Sequence, residues 1–105
     1  MSTETTGEKL RRIREQRALT LSKVAGILNI DVAVLSKMER GERKLSKEII
    51  LKFAKIYKYN AEELLLQYLC DKILYEIKNE ELGEKALKVA EKKVKYFKDN
   101  RLSNK

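Results

Sequence analysis

The stretch LTLSKVAGILNIDVAVLSKMERGERKLS, residues 19–46, decides the fold. Val24, Ala25 and Leu28 recur at helical spacing behind Thr20, whose hydroxyl suits a helix N-cap. The pattern then breaks over only three residues, Asn29-Ile30-Asp31. After glycine, asparagine best tolerates the left-handed backbone of a tight helix exit, and Asp31 is placed to cap the next helix. That helix is predicted over Val32 to Arg40, burying Leu35 and Met38, with Gly41 as its stop. Two helices joined by so short a turn must pack closely, and Ala25 is small where they would cross. Val24, Leu28, Ile30 and Leu35 supply apolar contacts to fix the angle.

Outward from this pair the chain reads as all-α. There is no proline, and the four glycines leave little turn punctuation. Residues 1–6 are small and polar and are expected to form a flexible N-terminus. A first helix is predicted from about Gly7 to Arg17, with Leu10 and Ile13 inward. Ser46 is expected to cap a fourth, carrying Ile49, Ile50, Phe53, Ala54 and Tyr57. Asn60-Ala61-Glu62-Glu63 has the form of a capping box for a fifth helix running to about Lys78. Its apolar positions, Leu64, Leu65, Leu66, Tyr68, Leu69, Ile73, Leu74 and Ile77, cover more of the circumference than one core uses. A last helix, roughly Glu81 to Asp99, has Leu87, Ala90, Val94 and Phe97 at 3-4-3 spacing.

The 105 residues allow one core with an appendage. The net charge of +8 is unevenly placed. Residues 1–60 hold 14 Lys/Arg against 7 Asp/Glu, and residues 61–105 hold 10 against 9. Such a first half suits a polyanion, because each cation that meets a phosphate releases condensed counterions; a solvated basic surface is the plain alternative. There is no histidine and a single cysteine, Cys70, so a Cys/His zinc site and imidazole catalysis are excluded, and no metal or other cofactor is expected. Cys70 reads as a small core or interface residue. No apolar run approaches the ~20 residues of a membrane span, and the N-terminus lacks the form of a signal peptide. A cytoplasmic protein without membrane association is expected. No nucleophile elbow, phosphate-binding glycine loop or metal-ligand cluster points to an enzyme.

Leu19 to Ser46 resembles the lambda-repressor-like, or XRE-type, helix-turn-helix family, matching it at Thr20, Ala25, Leu35-Ser36 and Glu39-x-Gly41. The resemblance implies a five-helix DNA-binding domain over residues 7–69; the excess apolar surface of the later helices makes residues 70–105 an expected helical extension for dimerisation. It also implies that the second helix of the motif enters the major groove. By position, Val32, Ala33, Ser36, Lys37 and Arg43 would meet bases, while Thr20, Ser22, Lys23, Arg40 and Lys44 would meet phosphates. Val32 and Ala33 stand where the family often has polar readers and are expected to touch thymine methyls. Leu21 replaces a frequent polar contact. The family pairs an arginine of the first helix with the Glu-x-Gly glutamate, which here implies an Arg14–Glu39 ion pair.

One recognition helix touches few base pairs, so a homodimer on a roughly palindromic double-stranded DNA site is expected, with Leu66, Leu69, Ile73 and Tyr75 as interface candidates. The resemblance narrows, through LSKMERGER, toward the controller proteins of restriction-modification systems, which are small transcription regulators. Related antitoxins share the segment, so a regulator whose C-terminal helices hold a protein partner is the alternative reading. The basic residues of the last helix read as a solvated outer face.

Overall fold

The computed structural model describes residues 3–103, with the side chains of residues 3–100. Six helices run in order: α1 (Thr6–Gln16), α2 (Leu21–Leu28), α3 (Val32–Glu39), α4 (Lys47–Tyr57), α5 (Ala61–Ile77) and α6 (Gly83–Ser103). No strand is present among the described residues. The chain forms two compact units that divide between Asp71 and Lys72, inside α5.

The first unit is built on contacts of α1 with α3 and α4 and of α2 with α3. Leu10, Ile13, Val24, Leu35, Ile50, Phe53, Tyr57 and Leu64 are fully buried. Each such side chain removed from water contributes about 1.5–3 kcal/mol. The Phe53 and Tyr57 rings stack at 5.7 Å between centroids.

Local chemistry explains where the helices stop. Thr20 Oγ1 accepts from Lys23 N–H at 3.1 Å and Ser46 Oγ accepts from Ile49 N–H at 3.1 Å, so each satisfies an orphan donor. Asn29 has φ 57° and Gly41 φ 77°, both left-handed. At each exit two N–H groups fold back onto the last turn: Asn29 and Ile30 onto Gly26 and Ala25, and Gly41 and Glu42 onto Met38 and Lys37. Ala18 (φ 55°) and Lys58 (φ 51°) make the same left-handed exits from α1 and α4, with side chains poorly suited to them.

The structure departs from the sequence reading at several places. Residues 4–6 make specific bonds. Thr5 and Glu8 form a reciprocal capping box at 3.1 and 2.9 Å, so α1 starts at Thr6. Thr6 donates from both N–H and hydroxyl to Asp71 Oδ2 at 2.7 Å, and Gln67 Nε2 donates to the Glu4 carbonyl at 2.8 Å. Thr3 is exposed and outside any helix, and Met1 and Ser2 of the expected flexible stretch lie outside the described residues. Asp31 stands at the α3 N-cap but its side chain makes no capping bond. Asn60 Oδ1 caps α5 through Glu63 N–H at 2.8 Å, yet Glu63 does not return the bond, because its carboxylate holds Lys9 at 3.2 Å. Lys9 is buried, with its ammonium over the Tyr59 ring: burial alone would lower its pKa, but the hydrogen bond to Glu63 and the nearby Tyr59 outweigh this and raise it.

The second unit holds the end of α5 and all of α6. The apolar α6 positions at 3-4-3 spacing are largely in water, with Val94 65% and Phe97 64% exposed. Cys70 is likewise exposed.

Candidate nucleic-acid interface

At 3.6 residues per turn, α3 has two faces. Leu35, Met38 and Glu39 are buried against the first unit, while Val32, Ala33, Lys37 and Arg40 are exposed and Ser36 is half-buried. The candidate base-reading residues of α3 thus share its outer surface. Arg43 and Lys44 follow it in the exposed turn after Gly41.

Two polar networks set that surface. Arg40 donates to Glu42 at 2.7 Å through Nε and to the Ser36 hydroxyl through Nη1. The Arg40 guanidinium holds the Glu42 carboxylate below its usual range and is itself raised by the pair. For Arg40 to meet a phosphate it must share or leave these partners, and Ser36 is oriented through it. The family resemblance implies both residues at the interface, but nothing in their types or spacing signals that they are joined.

The second network lies beneath α3. Arg14 Nε donates to Glu39 Oε2 at 2.8 Å and Nη2 to Oε1 at 3.1 Å, in a two-bond fork with both side chains at or below 10% exposure. Nη1 also donates to the Leu19 carbonyl at 2.9 Å. The Glu39 bonds raise the Arg14 pKa against the opposing effect of burial. One guanidinium therefore ties α1, the entry to α2 and the end of α3 together.

Electrostatically this region is open to anions. Residues 20–47 hold Lys23, Lys37, Arg40, Arg43, Lys44 and Lys47 against Asp31, Glu39 and Glu42. Glu39 is locked to Arg14 and Glu42 to Arg40, which leaves the exposed Asp31 carboxylate at the head of α3. The α2 N-terminus has no acidic residue in its first turn, so its free N–H groups and dipole face outward uncompensated. Thr20, Ser22 and Lys23 surround that end and are exposed, whereas Leu21 is half-buried against the core. The polar contact that Leu21 cannot make is thus exchanged for packing.

A close approach that the sequence reading missed fixes α3 from the other side. A Cβ on Gly7 would lie 2.5 Å from the Met38 carbonyl oxygen and 2.7 Å from that of Glu39. The N-terminal end of α1 therefore abuts the C-terminal carbonyls of α3, with the helix dipoles favourably opposed. No local signal marks Gly7 for this role, because its partners lie more than thirty positions away.

Of the interface candidates on α5, Leu66, Leu69 and Ile73 follow one stripe and are half or more exposed. Tyr75 is exposed but lies 2.5 turns from Leu66, on the opposite side of the helix, with Lys78 Nζ 5.7 Å from its ring centre.

A compact helical unit presenting the second helix of a tight pair on a basic face is the architecture of a helix-turn-helix domain. A family model described as helix-turn-helix, of the XRE type, matches residues 10–64, more than half of the chain, and the protein belongs to that family. Its fold is accordingly the five-helix lambda-repressor-like domain with an additional C-terminal helix. The chain is similar to the HTH-type transcriptional regulator DdrOP3 of Deinococcus deserti, at 38% identity over 58 residues. That segment covers 55% of this chain and 45% of the regulator, so less than half of the relative's length is matched. No solved structure matches. Among the described residues no helix is long and apolar enough to cross a membrane.

Proposed function

We propose that the protein is a sequence-specific transcription regulator that binds a roughly palindromic operator as a homodimer. The observation that carries this reading is the exposed face of α3, held by the buried Arg14–Glu39 fork and flanked by Arg43 and Lys44. Val32 and Ala33 meet thymine methyls, Ser36 and Lys37 meet base edges, and Arg43 reaches a further base. Thr20, Ser22, Lys23, Arg40 and Lys44 hold phosphates and set the register. Two copies place their α3 helices in successive major grooves, about 34 Å apart. Leu66, Leu69 and Ile73 supply the dimer surface, and Tyr75, on the far side of α5, meets the partner only where a second element wraps around.

Regulation follows from occupancy: a dimer covering a promoter represses it, and one bound just upstream of the polymerase activates it. The narrower assignment, control of restriction-modification genes, rests on the resemblance of Leu35 to Arg43 to the controller proteins. A second reading, in which the C-terminal helices hold a different protein as in an antitoxin, is favoured by the same exposed apolar residues; a co-purifying partner chain would select it.

The test is anisotropy titration of operator and random duplexes with single variants. Lys37→Ala is expected to weaken operator binding by about tenfold to a hundredfold while leaving random duplex nearly unchanged. Lys44→Ala is expected to weaken both alike and to reduce the salt slope by about one. Equal losses on both duplexes for Lys37→Ala would remove it from base reading.

A further inference from the structure

Helices α5 and α6 each carry an exposed apolar stripe. On α5, Leu66, Leu69, Ile73 and Ile77 recur at 3-4-4 spacing, and the first three are at least half exposed. On α6, Leu87, Ala90, Val94 and Phe97 recur at 3-4-3 spacing, and Val89 and Tyr96 lie beside them seven residues apart. Together these cover about half of the α6 circumference, with Lys85, Lys88, Lys92 and Lys95 on the other half. At ~1.5 Å per residue the two stripes have nearly equal length, about 16 and 15 Å. A single amphipathic helix of this kind does not keep such a face in water, so each stripe needs a cover.

Charge identifies the cover. Residues 61–82 carry Glu62, Glu63, Asp71, Glu76, Glu80 and Glu81 against Lys72 and Lys78, net −4, whereas residues 83–103 carry seven basic against three acidic residues, net +4. Pairing α6 with another α6 would set like charge on like, and pairing α5 with α5 alone would leave the α6 stripe exposed. Pairing α6 with the α5 of a second copy matches sign, length and apolar character at once, and a two-fold axis repeats the match. Lys93 is decisive, since it interrupts the apolar half of α6 between Val89 and Phe97 and requires an anion on the surface it meets. Glu76 flanks the α5 stripe, seven residues from Leu69 and three from Ile73. Neither Lys93 nor Glu76 makes an ion pair among the described residues.

We infer that the dimer is exchanged: α6 of each copy lies along the α5 stripe of the other, with Lys93 paired to Glu76 across the interface. This rests on the homodimer reading above and deepens it by naming the elements that meet. The interface then contains all of Leu66, Leu69, Ile73, Val94 and Phe97, and the two basic outer faces of α6 point away from each other.

The test uses the full chain in two steps. Sedimentation of the unaltered protein at micromolar concentration is expected to give a dimer; a monomer would refute the homodimer reading and this one with it. Glu76→Lys and Lys93→Glu chains, each checked for helicity by circular dichroism, are then mixed and weighed by native mass spectrometry. In the exchanged dimer the mixed species satisfies both charge pairs while each parent homodimer satisfies neither, so the heterodimer should exceed either homodimer several-fold beyond random mixing. A heterodimer at the random half, with the unaltered protein still dimeric, would overturn the exchange while leaving the homodimer standing. That result would mean that α6 covers a surface of its own chain.

Discussion

Glu39→Ala tests the mechanical basis of the recognition surface. Arg14 and Glu39 share two bonds of 2.8 and 3.1 Å with at most 10% of either side chain exposed. Truncating Glu39 leaves a buried guanidinium with the Leu19 carbonyl as its remaining acceptor in the network. Breaking a buried pair from one side costs about 3–5 kcal/mol, because the partner charge is stranded. Small domains have only about 5–15 kcal/mol to lose. At about 4–8 °C per kcal/mol for a domain of this size, the melting temperature should fall by more than about 10 °C. Circular dichroism melts read the effect, with Glu42→Ala as a control, since Arg40–Glu42 is half exposed and should leave the melt unmoved. Operator affinity should fall as well, because the end of α3 loses its anchor. The double change Arg14→Met with Glu39→Leu removes both charges and should restore much of the stability. A Glu39→Ala protein that melts like the unaltered one and binds DNA normally would show that the Arg14–Glu39 fork does not hold α3.

Other substitutions probe the fold independently. Gly7→Ala forces a Cβ against two backbone carbonyls of α3 and should destabilise by about 1–3 kcal/mol in urea unfolding, while Gly26→Ala, with open space around it, should stabilise by about 0.5–1 kcal/mol. If both glycines responded alike, the close approach of α1 to α3 would be wrong. The Tyr57 hydroxyl is buried with no hydrogen-bond partner among the described residues, and burial, with Glu39 nearby, pushes its pKa well above the ordinary value. Tyr57→Phe should therefore leave stability unchanged or raise it by about 1 kcal/mol; a loss of that size would mean the hydroxyl has a partner. Ala18→Gly relieves a left-handed residue at the end of α1 and should raise the melting temperature by an amount worth about 1 kcal/mol, with no gain contradicting that conformation.

What the sequence discloses here is what local chemistry encodes. Thr20, Asn29, Gly41 and Ser46 act on backbone groups within a few residues, so the α2–turn–α3 unit and the start of α4 can be read directly. The Arg14–Glu39 fork joins positions 25 apart and entered through the family resemblance, since neither residue type nor spacing requires it. Lys9 with Glu63, Thr6 with Asp71 and Arg17 Nε with the Tyr57 carbonyl are longer-range still. Each is a polar pair that exists only once α1 lies against the later helices. The left-handed exits at Ala18 and Lys58 are not legible in the sequence, because both residue types argue against the conformation that the hydrogen-bonded exits impose. The exposed stripes of α5 and α6 follow the predicted periodicity, but periodicity says that a face needs cover without saying what covers it.

The most direct measurement of the central claim is binding of the purified protein to DNA from upstream of its own gene, with random duplex as competitor, across a salt series. An operator-reading dimer should give a tight complex on a roughly palindromic site that survives excess competitor, holds two chains per duplex, and weakens steeply with salt. Weak binding that is equally salt-sensitive on any duplex would contradict sequence reading by α3 and leave only a general attraction between a basic surface and a polyanion.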